Sequence, residues 1–222
     1  MRRKAGNEED TAPSVLTIGH STRTIEEFIQ LLQAHGVTRV ADIRTVPRSR
    51  RNPQFNQESL PEALRKVGIG YGHFPKLGGL RRANPDSINL GWRNASFRGF
   101  ADHMQRADFA EGLKDLISMI KEDRIALMCA EAVPWRCHRS LVSDALLARG
   151  IPVEHIMSVT RRQKHAMTPF AQVNGTQVVY PEPKESPELG QLNLLNREPI
   201  ETENVGRIRI TDAKGNRRRI RG

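Results

Sequence analysis

The segment Cys129–Arg139 carries the densest chemistry in this sequence, with two cysteines, a glutamate, a histidine and two arginines. Cys137 falls beside a predicted helix start, where free amide groups and the helix dipole favour a thiolate. Arg136, His138 and Arg139 add positive charge there. Each exposed cation at a helix N-terminus destabilises the helix by about 0.3–1 kcal/mol, because it lies at the positive end of the dipole. Their presence is easier to explain if an anion or a thiolate lies among them. The pattern therefore predicts Cys137 as a nucleophile or redox thiol, against the alternative of a small buried side chain.

Other residues of this segment have two interpretations each. Cys129 ends an apolar run, where a free cysteine is commonly a buried hydrophobe. Glu131 is a candidate general base and equally a structural partner for one of the arginines, and His20 is a second candidate proton carrier. Six residues separate Cys129 from Arg136, with no glycine among them, which disfavours a phosphatase-like thiol loop.

Several side chains in this sequence are of zinc-ligand type: Cys129, Cys137, His138, His20 and Glu131. The two cysteines lie eight positions apart, which matches no standard structural zinc spacing, and no short Cys-x-x-Cys pair exists. We therefore expect no metal and no other cofactor.

Polar residues also follow the other predicted strands. Ligands bind at the carboxyl ends of parallel strands because loops and helix N-termini converge there. We expect these residues to meet in one cleft, with Arg44, Arg48 and Arg139 as an anion clamp. The predicted substrate-binding residues are Ser21, Asp42, Arg44, Arg48, Tyr71, His73, Gly78, Gly79, Cys129, His138 and Arg139. For the Gly78–Gly79 pair a plain turn is the alternative, and for Tyr71 and His73 core packing.

The elements that must position these residues alternate between strand and helix. Short apolar or β-branched runs at 15–19, 37–43, 69–74, 125–129 and 153–157 predict strands, and helical patterns separate them. Capping patterns at Thr24–Glu27, Ser59–Glu62 and Asp108–Glu111 predict three of the helix starts. The alternation predicts an α/β fold: a mostly parallel open sheet of about five strands with helices on both faces, plus an irregular basic C-terminal tail.

Length and composition divide the chain into three parts. The 222 residues include 37% hydrophobic positions, which is enough for one sizeable domain. We expect a flexible leader at 1–13, an α/β domain at 14–165, and a partly disordered extension with a basic tail at 166–222. Two cysteines cannot form a disulfide framework, and no apolar stretch resembles a signal peptide or membrane span. We therefore expect a cytoplasmic protein with no membrane partner.

The net charge of +10 favours an anionic partner. The surplus concentrates in two patches. One is Arg39–Arg51, beside the candidate chemistry, and the other is Arg207–Arg221, with seven basic residues against Asp212.

The chain resembles the family catalogued as domain of unknown function 488, from about Leu16 to Met157. The resemblance lies in four separated motifs in the expected order: Ile18-Gly-His-Ser21; Asp42-Ile-Arg44 with Pro47-Arg-Ser49 and Phe55; Tyr71-Gly-His-Phe-Pro75 with Leu77-Gly-Gly79; and Cys129-Ala-Glu131 with Cys137-His-Arg139. It implies that the polar residues at the strand ends belong to one family pattern. It names no reaction.

Three functional hypotheses follow. The leading one is an intracellular α/β enzyme with a thiol-containing, anion-binding pocket, in which Cys137 is the nucleophile or redox thiol and Glu131 or His20 carries the proton. The reaction would be a cysteine-dependent hydrolysis or group transfer, or thiol redox chemistry, on a phosphorylated, nucleotide or carboxylated substrate. The alternative is a nucleic-acid-associated binding module that uses the two basic patches, including the tail Arg207–Arg221. A third is a noncatalytic interaction domain.

Overall fold

The computed structural model describes residues 14–183, which form an α/β fold around a six-stranded mixed sheet. Its strands are β1 (Val15–Gly19), β2 (Arg39–Asp42), β3 (Gly70–His73), β4 (Ile125–Cys129), β5 (Val153–Ile156) and β6 (Arg162–Lys164). The spatial order is β3-β2-β4-β1-β5-β6. All pairings among β1–β5 are parallel, and β6 runs antiparallel to β5. The predicted fold class is confirmed, with one strand more than the five expected.

Helices cover both faces of the sheet. The helices are α1 (Ile25–Ala34), α2 (Leu60–Arg65), α3 (Ala95–His103), α4 (Ala107–Ile120) and α5 (Arg139–Leu147). The first two contribute to a core on one face, here called the α1 face. The other three contribute to a core on the opposite face, here called the α5 face.

The sheet is built around β4, which is flanked by β2 and β1. All five of its residues are buried. A central parallel strand is covered on both faces, so its sequence is continuously apolar rather than alternating. This is why Ile125–Cys129 was recognisable as a core strand from its sequence.

The helix starts agree only partly with the capping predictions. At α1 the capping box is present: the Thr24 hydroxyl accepts from the Glu27 amide, and the Glu27 carboxylate accepts from the Thr24 amide. At α2 the hydroxyl of Ser59 caps nothing. Helix α4 begins one residue before Asp108, so that side chain lies within the first turn rather than capping it. Helix α3 is not among the helix starts predicted from capping patterns, and the Asn94 side chain caps it.

The packed part of the chain extends past residue 165, the domain end expected from the sequence. A hairpin of β7 (Gln172–Asn174) and β8 (Gln177–Val179) leads to Tyr180, which is fully buried. The Tyr180 hydroxyl donates to the Asp144 carboxylate at 2.8 Å, so helix α5 holds this segment in place. The leader at 1–13, the residues from 184 onward and the basic tail Arg207–Arg221 lie outside the described residues.

A series of buried side-chain hydrogen bonds connects Asp144, the partner of Tyr180, to strand β1. His165 Nε2 lies 2.8 Å from Asp144 Oδ1, and His165 Nδ1 lies 3.1 Å from His155 Nε2. His155 Nδ1 in turn lies 2.7 Å from the Thr17 hydroxyl. Burial lowers the pKa of His155 to about 3, so this ring is neutral near physiological pH.

No helix within residues 14–183 is both long and apolar enough to span a bilayer.

Candidate functional site

The predicted site residues gather at the carboxyl edge of the sheet, but the sheet divides them between its two faces. Asp42 is in register with Met128, whose side chain belongs to the core on the α1 face. Cys129 is the next residue of β4 and belongs to the core on the α5 face. Successive side chains of a strand point to opposite faces. The residues that we expected in a single cleft therefore form two groups, one on each face of the sheet.

The group on the α1 face, here called the ion-pair group, consists of His20, Asp42, Arg44, Tyr71 and His73. Arg44 donates to Asp42 from its backbone amide, from Nε and from Nη2, at 3.0, 2.9 and 2.6 Å. The Tyr71 hydroxyl donates to the same carboxylate at 2.8 Å. Asp42 is fully buried and Arg44 nearly so. This is a bidentate buried ion pair in which each charge neutralises the other.

The remaining bonding capacity of the ion-pair group is also used internally. Arg44 Nη2 donates to the Phe55 carbonyl at 2.7 Å, and His73 Nε2 donates to the Arg44 carbonyl at 2.9 Å. His20 stacks on the Phe55 ring at a centroid distance of 4.2 Å. Arg44 therefore uses most of its guanidinium N–H groups within the protein, and its charge is neutralised by Asp42, which makes it unsuited to clamp an anion.

His20 is bonded on both sides of its ring. Nδ1 donates to the Ser21 carbonyl at 2.8 Å, because a carbonyl can only accept, and Nε2 then accepts from Arg44 Nη1 at 3.3 Å. Burial lowers the pKa of His20. The residue predicted as a proton carrier is thus a neutral ring packed between Phe55 and Arg44.

The group on the α5 face contains three side chains that lie close together: Cys129, Cys137 and His138, here called the thiol cluster. His138 Nδ1 lies 3.9 Å from Cys129 Sγ and 3.7 Å from Cys137 Sγ. All three donor atoms lie within 4.8 Å of one another. Cys129 is 8% exposed and Cys137 3%. These are the only three metal-ligating side chains grouped in this way within residues 14–183.

Local structure explains how residues eight positions apart come together. Strand β4 ends at Cys129, and a loop with a short 3₁₀ turn at Pro134–Arg136 leads back to the sheet. The Cys137 amide donates to the Pro134 carbonyl at 3.0 Å, and α5 begins at Arg139. The turn therefore returns Cys137 to the end of the strand that carries Cys129.

His138 is held in one orientation by its surroundings. Nε2 lies 3.0 Å from the Ile43 carbonyl oxygen, so Nε2 carries a hydrogen and Nδ1 faces the two sulfurs. Gly79 packs directly on the ring, since a Cβ atom there would lie 2.4 Å from Nδ1. Gly78 approaches Thr45 equally closely. In the predicted Gly78–Gly79 pair, Gly79 thus allows close packing on the imidazole and Gly78 close packing on Thr45.

Arg139 places a buried positive charge beside the thiol cluster. It is 1% exposed and donates to the Glu131 and Ala132 carbonyls at 2.6 and 2.7 Å. Its Nε has no hydrogen-bond partner, and no carboxylate in residues 14–183 forms a salt bridge with it. The Arg139 charge is thus not neutralised by an acid, in contrast to that of Arg44.

The two thiols differ in acidity. The pKa of Cys129 lies well below its ordinary value, because the neighbouring Cys137 thiol favours a thiolate there and because His138 and the Glu131 amide do so as well. The pKa of Cys137 is raised, because the neighbouring Cys129 sulfur favours its protonated form and because the side chain is buried. The directions of these two pKa shifts favour a thiolate at Cys129, whereas the sequence pattern favoured Cys137.

The other predicted residues lie in the loops of the carboxyl edge. The Glu131 side chain is exposed, because β4 ends before it, and Arg48 is also exposed. Ser21 has a left-handed backbone, with φ of 52°, and its amide donates to the Ala130 carbonyl. Proximity to both sulfurs makes His138 a better placed proton acceptor than Glu131. Its position directly after Cys137 was the only sequence signal for this role.

A cleft of about 260 Å³ lies elsewhere, between the start of α4, the end of α5 and the β7–β8 hairpin. Met104, Phe109, Arg149 and Val178 are among its lining residues. None of the predicted site residues lines it. The chemistry-bearing side chains are therefore not in this cleft.

Comparison with known proteins identifies the family. No curated protein and no solved structure matches the chain. Residues 24–146, more than half of the chain, match the family described as domain of unknown function DUF488. The matched range contains all of the ion-pair group except His20, and it contains the whole thiol cluster with Arg139. The resemblance seen in the sequence motifs is thereby confirmed, and the chain belongs to the DUF488 family.

Proposed function

We propose that this chain is an enzyme that uses the Cys129 thiolate as a nucleophile on a small anionic substrate at the carboxyl edge of the sheet. The observation that carries the proposal is the thiol cluster itself: one oriented imidazole nitrogen lies within 3.9 Å of two cysteine sulfurs. Nucleophile and base within reach of each other, with the base oriented by a third group, is the arrangement that activates a thiol.

Arg139 supports this assignment through its charge. A buried guanidinium without a carboxylate partner is costly, because only carbonyl dipoles compensate it. A thiolate at Cys129 supplies negative charge nearby. The resting cluster therefore favours the ionised sulfur, which is the reactive form of cysteine.

The reaction that fits is a hydrolysis or a group transfer. His138 Nδ1 takes the thiol proton, and the Cys129 sulfur forms a bond to the electrophilic acyl or phosphoryl centre of the substrate. The bond from that centre to its leaving group breaks, and His138 returns the proton to the leaving group. Water or a second substrate then displaces the sulfur and regenerates the thiol.

Of the predicted clamp, only Arg48 is exposed and available to recognise an anion, together with arginines that the prediction did not include. Arg44 and Arg139 are bonded within the protein, as described above. The side chains of five exposed arginines have no hydrogen-bond or ion-pair partner among residues 14–183: Arg48, Arg50, Arg51, Arg82 and Arg136. Their charge favours a phosphorylated, nucleotide or carboxylated substrate.

A second candidate function is binding of nucleic acid by the same edge. Trp135 is 59% exposed and lies beside the exposed Arg136. An exposed aromatic ring next to basic side chains is suited to stacking on an unpaired base. Binding of a single-stranded oligonucleotide by the full chain should weaken steeply with salt and be reduced in Trp135→Ala. No binding at low salt would reject this candidate.

The enzymatic proposal can be tested with activated esters, since the natural substrate is unknown. We expect the metal-free full chain to turn over 4-nitrophenyl acetate or 4-nitrophenyl phosphate with a burst of one equivalent of nitrophenol. Cys129→Ser should lose on the order of 10⁴-fold in rate, and His138→Gln about 10²-fold or more.

The matched control is His35→Gln, because His35 also bonds a backbone carbonyl through Nε2 but lies outside the site. It should keep the full rate. Equal turnover by the folded parent chain and folded Cys129→Ser would overturn the proposal, as would absence of turnover with both esters.

A further inference from the structure

The spacing of the thiol cluster matches that of a tetrahedral metal site. With Zn–S bonds of about 2.3 Å and Zn–N bonds of about 2.0–2.1 Å, a tetrahedral ion holds its sulfur and nitrogen ligands about 3.6 Å apart. In the structure, His138 Nδ1 lies 3.7 Å from one sulfur and 3.9 Å from the other. The two sulfurs lie within 4.8 Å of each other. A tetrahedral ion would hold the two sulfurs about 3.8 Å apart, so binding would draw them together by at most about 1 Å.

The surroundings of His138 are those of a metal ligand. A ligating histidine commonly donates its other ring N–H to a carbonyl or carboxylate, which fixes the tautomer and the ring orientation. Here Nε2 donates to the Ile43 carbonyl, and Nδ1 is left facing the sulfurs. Gly79 on one side and the Phe100 ring on another restrict movement of the imidazole.

The charges of the site also fit a metal–thiolate centre. Two thiolates in a buried position need compensating positive charge, which a divalent cation supplies in full. Arg139 then remains beside the centre as one uncompensated positive charge. A fourth ligand that is an anion would neutralise it.

We infer that Cys129, Cys137 and His138 bind one Zn²⁺ ion, with a fourth position left for water or a small anion. Binding displaces the remaining thiol protons and forms two Zn–S bonds and one Zn–N bond. The inference goes beyond the proposed function, although it uses the same residues. In the loaded chain the sulfur electron pairs are engaged by the metal, so Zn²⁺ switches off the nucleophile at Cys129.

The prediction of no metal, made from the sequence, rested on the spacing of eight positions between the cysteines. That spacing is unsuitable only if one continuous loop supplies both ligands. In this fold one cysteine comes from a strand end and the other from the residue before a helix cap, with a 3₁₀ turn between them.

The test uses Co²⁺, which takes tetrahedral zinc sites and absorbs light when sulfur ligands are present. We expect titration of the full chain to give a sulfur-to-cobalt charge-transfer band that saturates at one equivalent, with visible bands of tetrahedral strength. One equivalent of Zn²⁺ should abolish both signals. Cys137→Ser and His138→Gln should each lower Co²⁺ affinity tenfold or more, whereas His35→Gln should leave it unchanged.

The result that overturns the inference is a folded parent chain without a sulfur-to-cobalt band at one equivalent, or a band of full strength in both ligand variants. Alkylation of Cys129 in the metal-free chain separates the two proposals. Fast alkylation without cobalt binding rejects the metal site and leaves the nucleophile, whereas cobalt binding with inert esters rejects the nucleophile and leaves the metal site. If both hold, Zn²⁺ should protect Cys129 from alkylation.

Discussion

The ion-pair group and the thiol cluster occupy opposite faces of the same sheet edge, and they differ in how their charges are compensated. On the α1 face, Asp42 and Arg44 neutralise each other, and Tyr71 uses a further lone pair of the carboxylate. On the α5 face, Arg139 has only carbonyl partners, and the neighbouring groups are two thiols and a ring nitrogen. A buried polar group that satisfies itself holds the fold together, whereas one left incomplete is suited to bind or react with something else.

Substitution of the two buried arginines is expected to show the largest difference in stability between the two faces. Replacing Arg44 by Met leaves the Asp42 carboxylate buried without its partner, which we expect to cost about 3–5 kcal/mol in the free energy of unfolding. Replacing Arg139 by Met removes an unneutralised charge and frees two carbonyls that belong to exposed residues, so about 1–2 kcal/mol is expected. Urea unfolding of both variants measures the difference, and equal losses would mean that the two faces are not distinct.

Gly79→Ala should act on the thiol cluster through the position of His138. The added Cβ would lie 2.4 Å from Nδ1, so the ring must move, at a cost of about 1–3 kcal/mol. Ester turnover and cobalt affinity should fall together with stability. In the control Gly70→Ala the added Cβ meets only the flexible Arg39 side chain, at 3.0 Å. If Gly79→Ala and Gly70→Ala had the same stability, ester turnover and cobalt affinity, the close packing of Gly79 on His138 would not be needed for function.

Histidines that are buried and neutral should make the fold sensitive to acid. Burial lowers the pKa of His20 in the ion-pair group and that of His155, the latter to about 3. At about pH 6.5 and below, these histidines bind protons in the unfolded chain but not in the folded chain. Their contribution to stability is therefore fully present above that pH and is lost as the pH falls. The free energy of unfolding should drop by up to about 1.4 kcal/mol per pH unit for each such histidine.

Urea midpoints measured between pH 7 and pH 4 check this slope, and His20→Gln should flatten it. A variant with the same slope as the parent chain would show that His20 titrates normally in the folded protein.

The smallest effect is expected for Tyr71→Phe. The substitution removes one hydrogen bond to Asp42 but leaves the ion pair intact, so about 1 kcal/mol of stability should be lost. Ester turnover should not change, because Tyr71 lies on the α1 face. A large loss of turnover in a folded Tyr71→Phe protein would show that the ion-pair group takes part in the chemistry.

Local sequence signals predicted much of the scaffold. The apolar run of β4 and the Thr24–Glu27 capping box are short-range patterns, and both are present in the structure. Helix α3 escaped prediction because its apolar content is low and Gly99 interrupts it. The burial of Tyr180 depends on Asp144, which lies 36 positions away, so no local pattern could reveal it.

The division of the site residues between two faces could not be predicted from the sequence, for a different reason. Whether Asp42 and Cys129 point to the same side depends on which strands are neighbours and on their register. A shift of one residue in register reverses every side chain. The motifs located the carboxyl edge, but only the pairing of β2 with β4 separates a structural ion pair from a reactive cluster.

The most direct test of the thiol cluster is the pH dependence of alkylation, followed for each cysteine by mass spectrometry in the native, metal-free chain. We expect the rate at Cys129 to reach half its maximum below about pH 8.5, the ordinary pKa of a free cysteine, and to rise before that of Cys137. In Arg139→Met the Cys129 midpoint should move upward. Modification of Cys137 ahead of Cys129, or a Cys129 midpoint no lower than that of N-acetylcysteine, would contradict the assignment of Cys129 as the reactive thiolate.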